Sequence, residues 1–218
     1  MKEKIEKIYD ILRKEFSLPA KEKLSPAEEL VLTVLSQNTS DRNRDLAWKR
    51  LRERFPKMED LEEASVEEIE EAIKPAGLYR QKARSIKQVL RKLREEFGSL
   101  NIPLKGEEAY RFLLSLKGVG PKTAAVVSLF SLGHPYFPVD THIFRVSNRI
   151  PLVRGKTREK VQEELNKKVP DEIKREFHLL LIELGRKYCR PKPRCKECPL
   201  KGLCSYSSRF LKPDQKEV

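Results

Sequence analysis

Three observations predict an all-α protein. Apolar residues recur at helical spacing along nearly the whole chain, strand signals are scarce, and Pro, Gly and capping residues cut the pattern into short segments. Roughly ten short helices packed on one another follow from this pattern. The 218 residues make one large domain or two small ones, with enough material for a real core. No internal repeat of fixed period is present.

The elements follow in order. Residues 4–16 place Ile5, Ile8, Ile11 and Leu12 on one helical face. Ser25-Pro26-Ala27-Glu28 reads as an N-cap, a proline at N1 and a first-turn carboxylate, opening a helix through Leu35. Asp41 is the expected cap of a second helix through Phe55, before Pro56. Ser65-Val66-Glu67-Glu68 is a capping box, and Lys74-Pro75-Ala76-Gly77 stops the helix it opens. A long helix, basic on one side, runs from Leu78 or Tyr79 to Phe97. A linker over 98–106 contains Pro103, and further helices are expected over 107–115, 121–132, 141–149, 157–169 and 171–188. The tail reads as a basic loop, not a helix: residues 186–212 carry nine basic side chains and one acid, Glu197.

Composition narrows the function classes. Lys and Arg number 46 against 33 Asp and Glu, a net charge of +13, which points to a polyanionic partner, most simply nucleic acid. Charged residues are 36% of the chain and Met only two, a balance that also suits a thermophilic source. Collagen-like, Gly-rich and wholly disordered chains are excluded by 39% hydrophobic residues and nine Gly. No run approaches the roughly 18 apolar residues of a membrane span. The start, Met1-Lys2-Glu3-Lys4, carries no secretory pattern, so a soluble cytoplasmic protein is expected, nucleoid-associated in a prokaryote.

All four cysteines lie in the tail. Cys189, Cys195, Cys198 and Cys204 are spaced C-x5-C-x2-C-x5-C within sixteen residues. Disulfides are unneeded in an intracellular chain with its own core. Four thiolates can hold zinc, usually through two separated CxxC pairs; one compact run with a single CxxC suits an iron–sulfur cluster somewhat better.

A second constellation is Leu116-Lys117-Gly118-Val119-Gly120-Pro121-Lys122-Thr123-Ala124. A helix ends, two glycines permit positive φ and close backbone approach, and Pro121 starts the next helix, whose free amides can grip a phosphate. This is the pattern of a helix-hairpin-helix, a DNA backbone clamp; an ordinary turn between two helices is the bland alternative. Lys122 sits in a first helical turn, where the macrodipole disfavours a cation. It serves either as a phosphate contact or as a nucleophilic amine, and the hairpin alone does not decide.

Asp140 lies eighteen residues beyond Lys122, in Pro138-Val139-Asp140-Thr141-His142. It suits plain N-capping, and equally a carboxylate acting as base or charge stabiliser for a neighbouring amine. His142 reads as structural on its own chemistry. Gln37 and Asn38, in Leu35-Ser36-Gln37-Asn38-Thr39-Ser40-Asp41, either cap helices or enter a DNA stack. Leu78 in Gly77-Leu78-Tyr79-Arg80 is either a core residue or an exposed apolar wedge that unstacks bases.

Taken together, Gln-Asn-Thr-Ser-Asp, Gly-Leu-Tyr-Arg-Gln-Lys-Ala, Leu-Lys-Gly-Val-Gly-Pro-Lys-Thr-Ala, Val-Asp-Thr-His-Ile-Phe-Arg-Val and the four-Cys tail resemble the endonuclease III family of DNA glycosylases. The resemblance runs from about residue 26 to 204, in the family's order. It implies two helical domains with DNA in the cleft: a helical barrel with the hairpin over 24–133, and an iron–sulfur domain over 1–23 plus 134–218. It implies that Lys122 attacks C1′ of a damaged nucleotide, that Asp140 supports the step, and that β-elimination of the Schiff base cuts the strand. The four cysteines would carry a [4Fe–4S] cluster. Gln37, Asn38, Leu78, Gly118, Val119, Gly120, Thr123 and His142 would contact double-stranded DNA holding a damaged base or abasic site, and a monomer is expected.

Three departures stand out. The first Cys gap is five residues instead of the usual six; Asn38 rather than Gln37 falls at the family's gap-filling position; and Pro121 replaces a common basic residue. The competing functions are a T/U mismatch glycosylase of the same superfamily and a non-enzymatic DNA-binding repair module.

Overall fold

The computed structural model describes residues 2–18, 23–150 and 152–211. Among them there is no strand, and no helix is long and apolar enough to cross a membrane. The chain divides into two compact units, one of Met1–Lys21 with Pro135–Val218 and the other of Glu22–His134. Each has its own hydrophobic core.

The contiguous unit holds seven α-helices among its described residues: α2 (Pro26–Ser36), α3 (Asp41–Arg54), α4 (Met58–Glu63), α5 (Val66–Ile73), α6 (Tyr79–Phe97), α7 (Gly106–Ser115) and α8 (Pro121–Val127). The α2 start is a reciprocal capping box: Ser25 Oγ accepts from Glu28 N at 3.3 Å, and Ser25 N donates to Glu28 Oε2 at 2.8 Å. Ser65 and Glu68 repeat this at α5. Ser40, not Asp41, caps α3, its hydroxyl accepting from Asn43 N at 3.3 Å. The short α4 is not among the helices expected from the sequence. Its sequence, Met-Glu-Asp-Leu-Glu-Glu, is too brief and acidic to show a period, yet Met58 and Leu61 plug into the core. The segment expected as one helix over 121–132 changes winding after Val127. Residues Ser128–Leu132 are π-helical, closed by Gly133 at φ 74°. Leu30, Leu35, Leu51, Leu61, Ile69, Ile73 and Ile86 are fully buried, which follows from their spacing on facing helices.

The discontinuous unit holds α1 (Lys2–Glu15), α9 (Thr141–Arg149), α10 (Arg158–Lys168), α11 (Lys174–Lys187) and α12 (Ser208–Leu211). The last is a correction to the all-loop reading of the tail. α11 is the central element, packing on α9 and α1. Ile5, Ile8 and Leu12 of α1 are fully buried, as are Phe177, Leu180, Leu181 and Leu184 of α11. Lys174 is also buried; its ammonium donates to Pro135 O at 2.8 Å and Asn166 O at 2.9 Å and pairs with Asp171 at 2.7 Å. Those bonds offset the cost of removing the charge from water.

Candidate functional site

The glycine turn is built by backbone geometry. α7 ends at Leu116, Val119 N donates to Leu116 O at 3.0 Å, and Ala124 N donates to Gly120 O at 2.9 Å. Gly118 lies at φ 85°, a conformation that strains any side chain. Gly120 differs from the expectation of positive φ: as the N-cap of α8 it is extended, at φ −95° and ψ 178°. A Cβ at Gly120 would meet nothing within 4 Å, so the fold itself does not require glycine there. Val119 and Thr123 are buried, which leaves their main chain as what the turn presents. Lys122 follows Pro121 in the first turn of α8 and is half-buried.

Two further turns lie in the same unit, and one of them touches the hairpin. Gln37, the C-cap of α2, is exposed, and its Nε2 donates to Gly118 O at 3.4 Å. Asn38 is exposed at φ 50°. Leu78 precedes α6 at φ 47° and ψ 29°, and is 58% exposed, which removes it from the core. Sequence reasoning overlooked the residue beneath both turns. Lys82 is 3% exposed, and its Nζ donates to Leu35 O at 2.9 Å and to Ala76 O at 2.8 Å. Burial lowers its pKa. Its position four residues before the buried Ile86, on the stripe continued by Leu90, was the available signal.

In the other unit, Asp140 caps α9: Oδ1 accepts from Ile143 N at 2.8 Å. The capping reading and a second role are compatible, because only one carboxylate oxygen is needed for the cap. His142 is half-buried against α11, where Gly185 leaves room for its ring; a Cβ there would lie 2.9 Å from His142 Cβ. His142 Nδ1 lies 3.1 Å from Arg145 Nη2. Asp140 and Lys122 belong to different units.

The four cysteines do come together. All are half-buried free thiols, and all line one small cavity with Leu184, Ile150 and Pro193. Burial pushes the Cys189 and Cys195 thiols up, and Cys198 to about 11. Among the described residues no three His, Cys, Asp or Glu are disposed as ligands of a single ion. Two arginines on one face of α9, also overlooked, fasten the loop. Arg145 donates to Cys189 O at 2.7 Å and Gly185 O at 3.2 Å; Arg149 donates to Arg190 O at 2.6 Å and Pro191 O at 3.2 Å. Their spacing of four residues was the signal. The five-residue gap closes without difficulty, Arg194 N reaching Tyr188 O at 2.9 Å.

Comparison with known proteins places this architecture. Residues 31–171 match the model of the HhH-GPD superfamily base excision DNA repair proteins. Endonuclease III of Thermotoga maritima is 39% identical over 185 residues, covering 84% of each chain. Endonuclease III of Escherichia coli K12 is 39% identical over 186 residues, covering 85% of this chain and 86% of that one. A solved non-covalent endonuclease III–DNA complex superposes with a TM-score of 0.82 at 32% identity, covering 98% of this chain and 99% of that one. The chain therefore belongs to the HhH-GPD superfamily of base excision DNA repair proteins and, within it, to the endonuclease III family.

Proposed function

We propose that this DNA glycosylase removes oxidised pyrimidines from duplex DNA and then nicks the strand as an abasic-site lyase, acting as a monomer. The observation that carries the reading is Lys122, an amine in the first turn of α8 directly after a two-glycine turn. The amides of that turn and helix start suit a DNA phosphate, and the open space over Gly120 lets a backbone come close. The helix dipole favours the neutral, nucleophilic form of an amine there.

The chemistry balances as follows. The Nζ lone pair of Lys122 forms a bond to C1′ of the extruded nucleotide. The glycosidic bond breaks, and the base leaves with its electron pair and takes up a proton. Asp140 stabilises the positive charge that develops on the sugar and accepts the proton released by the amine. Ring opening gives a protonated Schiff base. Loss of a C2′ proton then expels the 3′ phosphate, and water later frees the lysine. Extrusion costs a few kcal/mol, least for a poorly stacked lesion. Leu78 is assigned as the wedge that enters the stack, and Gln37 and Asn38 as the side chains that occupy the vacated space. Gly118, Val119, Gly120 and Thr123 act through main chain on the backbone, and His142 lines the approach beside Asp140.

Cys189, Cys195, Cys198 and Cys204 would hold a [4Fe–4S] cluster. Four half-buried free thiols around one apolar cavity suit it as a donor set, and their compact spacing with a single CxxC fits it better than two separated CxxC pairs of a zinc site. When bound it supplies a covalent cross-link for the tail; no step of base removal passes through it.

The test is borohydride trapping on a duplex with an abasic site. Hydride reduces the Schiff base to a stable amine, so the wild-type chain is captured covalently and Lys122→Ala is not. Undiminished capture of Lys122→Ala would overturn the assignment. Duplexes with thymine glycol, dihydrouracil, uracil or a G·T mismatch read the substrate class, and excision confined to the last two would replace oxidised pyrimidines with mismatched bases.

A further inference from the structure

A wide concavity on the discontinuous unit is not used by this mechanism. It has a volume of about 900 Å³ and opens between the C-terminal end of α9, the loop before α10 and the turn before α12. Five cations line it: Arg149, Arg154, Lys156, Lys160 and Arg209. Among the described residues no carboxylate lines it.

The pocket is also fastened, unlike a merely solvated basic face. Asn148 clamps its rim loop, donating from Nδ2 to Gly155 O at 3.2 Å and accepting from Gly155 N at 3.1 Å. Gly155 is seated so closely on α10 that a Cβ would lie 2.8 Å from Val161 Cγ2. The flanking Arg154 and Lys156 are therefore presented from a fixed backbone, both exposed and with no ion pair among the described residues. The Tyr206 ring, also in the lining, contacts two guanidinium groups, with Arg149 at 4.7 Å and Arg209 at 5.6 Å from its centroid. Lys160 shares its charge with Glu163 at 3.0 Å and Glu164 at 4.0 Å.

Like charges gathered around one hollow repel each other, and a counter-charge entering it relieves that repulsion. Several guanidinium and ammonium groups around one hollow suit more than one phosphate oxyanion at a time. We propose that this pocket binds a run of phosphate groups, supplied either by a free polyphosphate or by a stretch of DNA backbone outside the hairpin. The inference goes beyond the glycosylase reading and stands whichever residue is the nucleophile.

The experiment uses the full chain and two double variants of equal charge. Arg154→Ser with Lys156→Ser empties the pocket rim. Lys7→Ser with Lys14→Ser removes two exposed charges from α1 and serves as the control. Inorganic tripolyphosphate is titrated by calorimetry, and a short undamaged duplex by fluorescence anisotropy over a range of salt. The pocket variant is expected to bind its ligand about tenfold more weakly, each lost phosphate contact lowering the salt slope by about 0.9, with the control near wild type. Loss for tripolyphosphate identifies a free-polyphosphate site; loss for the duplex alone identifies a backbone site. Equal effects in both double variants, or no response of either ligand to the pocket variant, would overturn the proposal. All four positions are exposed, so thermal midpoints should not move; Lys156→Ser alone repeats the test at half the charge change.

Discussion

Asn38 and Leu78 are the two non-glycine residues with positive φ among the described residues, and their turns are joined by one buried ammonium. Leu35 O is among the last carbonyls of α2, and Ala76 O ends a 3-10 turn, so neither has a helical partner of its own. Lys82 Nζ satisfies both, and its charge complements the negative end of α2. The two strained turns are thus held to one point beneath them. Lys82→Met keeps the apolar stem but orphans both carbonyls. A loss of about 1–3 kcal/mol is expected, the lost bonds being offset in part by relief of a buried charge. Excision from a lesion duplex should fall further than the unfolded fraction accounts for, while affinity for undamaged duplex holds. Denaturant unfolding beside single-turnover excision checks both; a fall in excision that merely tracked stability would leave Lys82 a purely structural residue.

Leu78 separates stability from function in the opposite sense. Its side chain is 58% exposed, so little apolar burial depends on it. Its left-handed backbone costs roughly 1–2 kcal/mol for a residue with a Cβ. Leu78→Gly relieves that strain, and its greater unfolded-state freedom cancels part of the gain, so stability should stay within about 1 kcal/mol. Excision from duplex should nevertheless drop, because nothing is left to fill the stack. Fluorescence of 2-aminopurine beside the lesion reports extrusion directly, and unchanged extrusion by the variant would remove Leu78 from the wedge role.

The two hairpin glycines should also part ways. Gly118→Ala forces a Cβ onto φ 85° and should cost about 1–2 kcal/mol of stability. Gly120→Ala places its methyl in open space on extended backbone, so the fold should tolerate it within about 0.5 kcal/mol. The same methyl stands where a phosphate approaches, so duplex affinity should weaken by about tenfold or more, a change of about 1.4 kcal/mol. Paired melting curves and anisotropy titrations measure the split. Affinity unchanged in Gly120→Ala would mean that no backbone comes close at this turn.

The helical class, most boundaries and the hairpin were legible because caps, prolines and apolar spacing are local signals. Ser25 and Ser65 act as their sequence context says, and so does Pro121. What escaped was non-local or too short. α4 has six residues, and the π winding after Val127 changes no residue type that periodicity detects. The backbone state of Gly120 cannot be read from the word glycine, which permits both signs of φ. Lys82, Arg145 and Arg149 look like solvated charges until their carbonyl partners, 44 to 47 residues distant in two cases, are in view. The four thiols line one cavity, but the spacing gave no hint of the two arginines that fasten their loop.

α1 joins α11 across most of the chain through Glu15, and this contact carries a pH dependence. Glu15 Oε1 accepts from Lys187 Nζ at 2.7 Å and from Tyr188 OH at 2.6 Å. The lysine bond, then the tyrosine bond, hold the carboxyl below its ordinary value of 4.5. A lowered folded-state pKa means that the unfolded chain takes up its proton first as pH falls. The contribution is therefore complete above pH 4.5 and disappears as pH drops through the folded value. Glu15→Gln should cost about 1 kcal/mol near neutrality, the size of a partly exposed pair, and nothing in strong acid. Urea unfolding of both chains from pH 7 down to pH 3 should give midpoints that start apart and converge. A gap that persisted to the lowest pH would assign the effect to packing around Tyr188 instead of to charge.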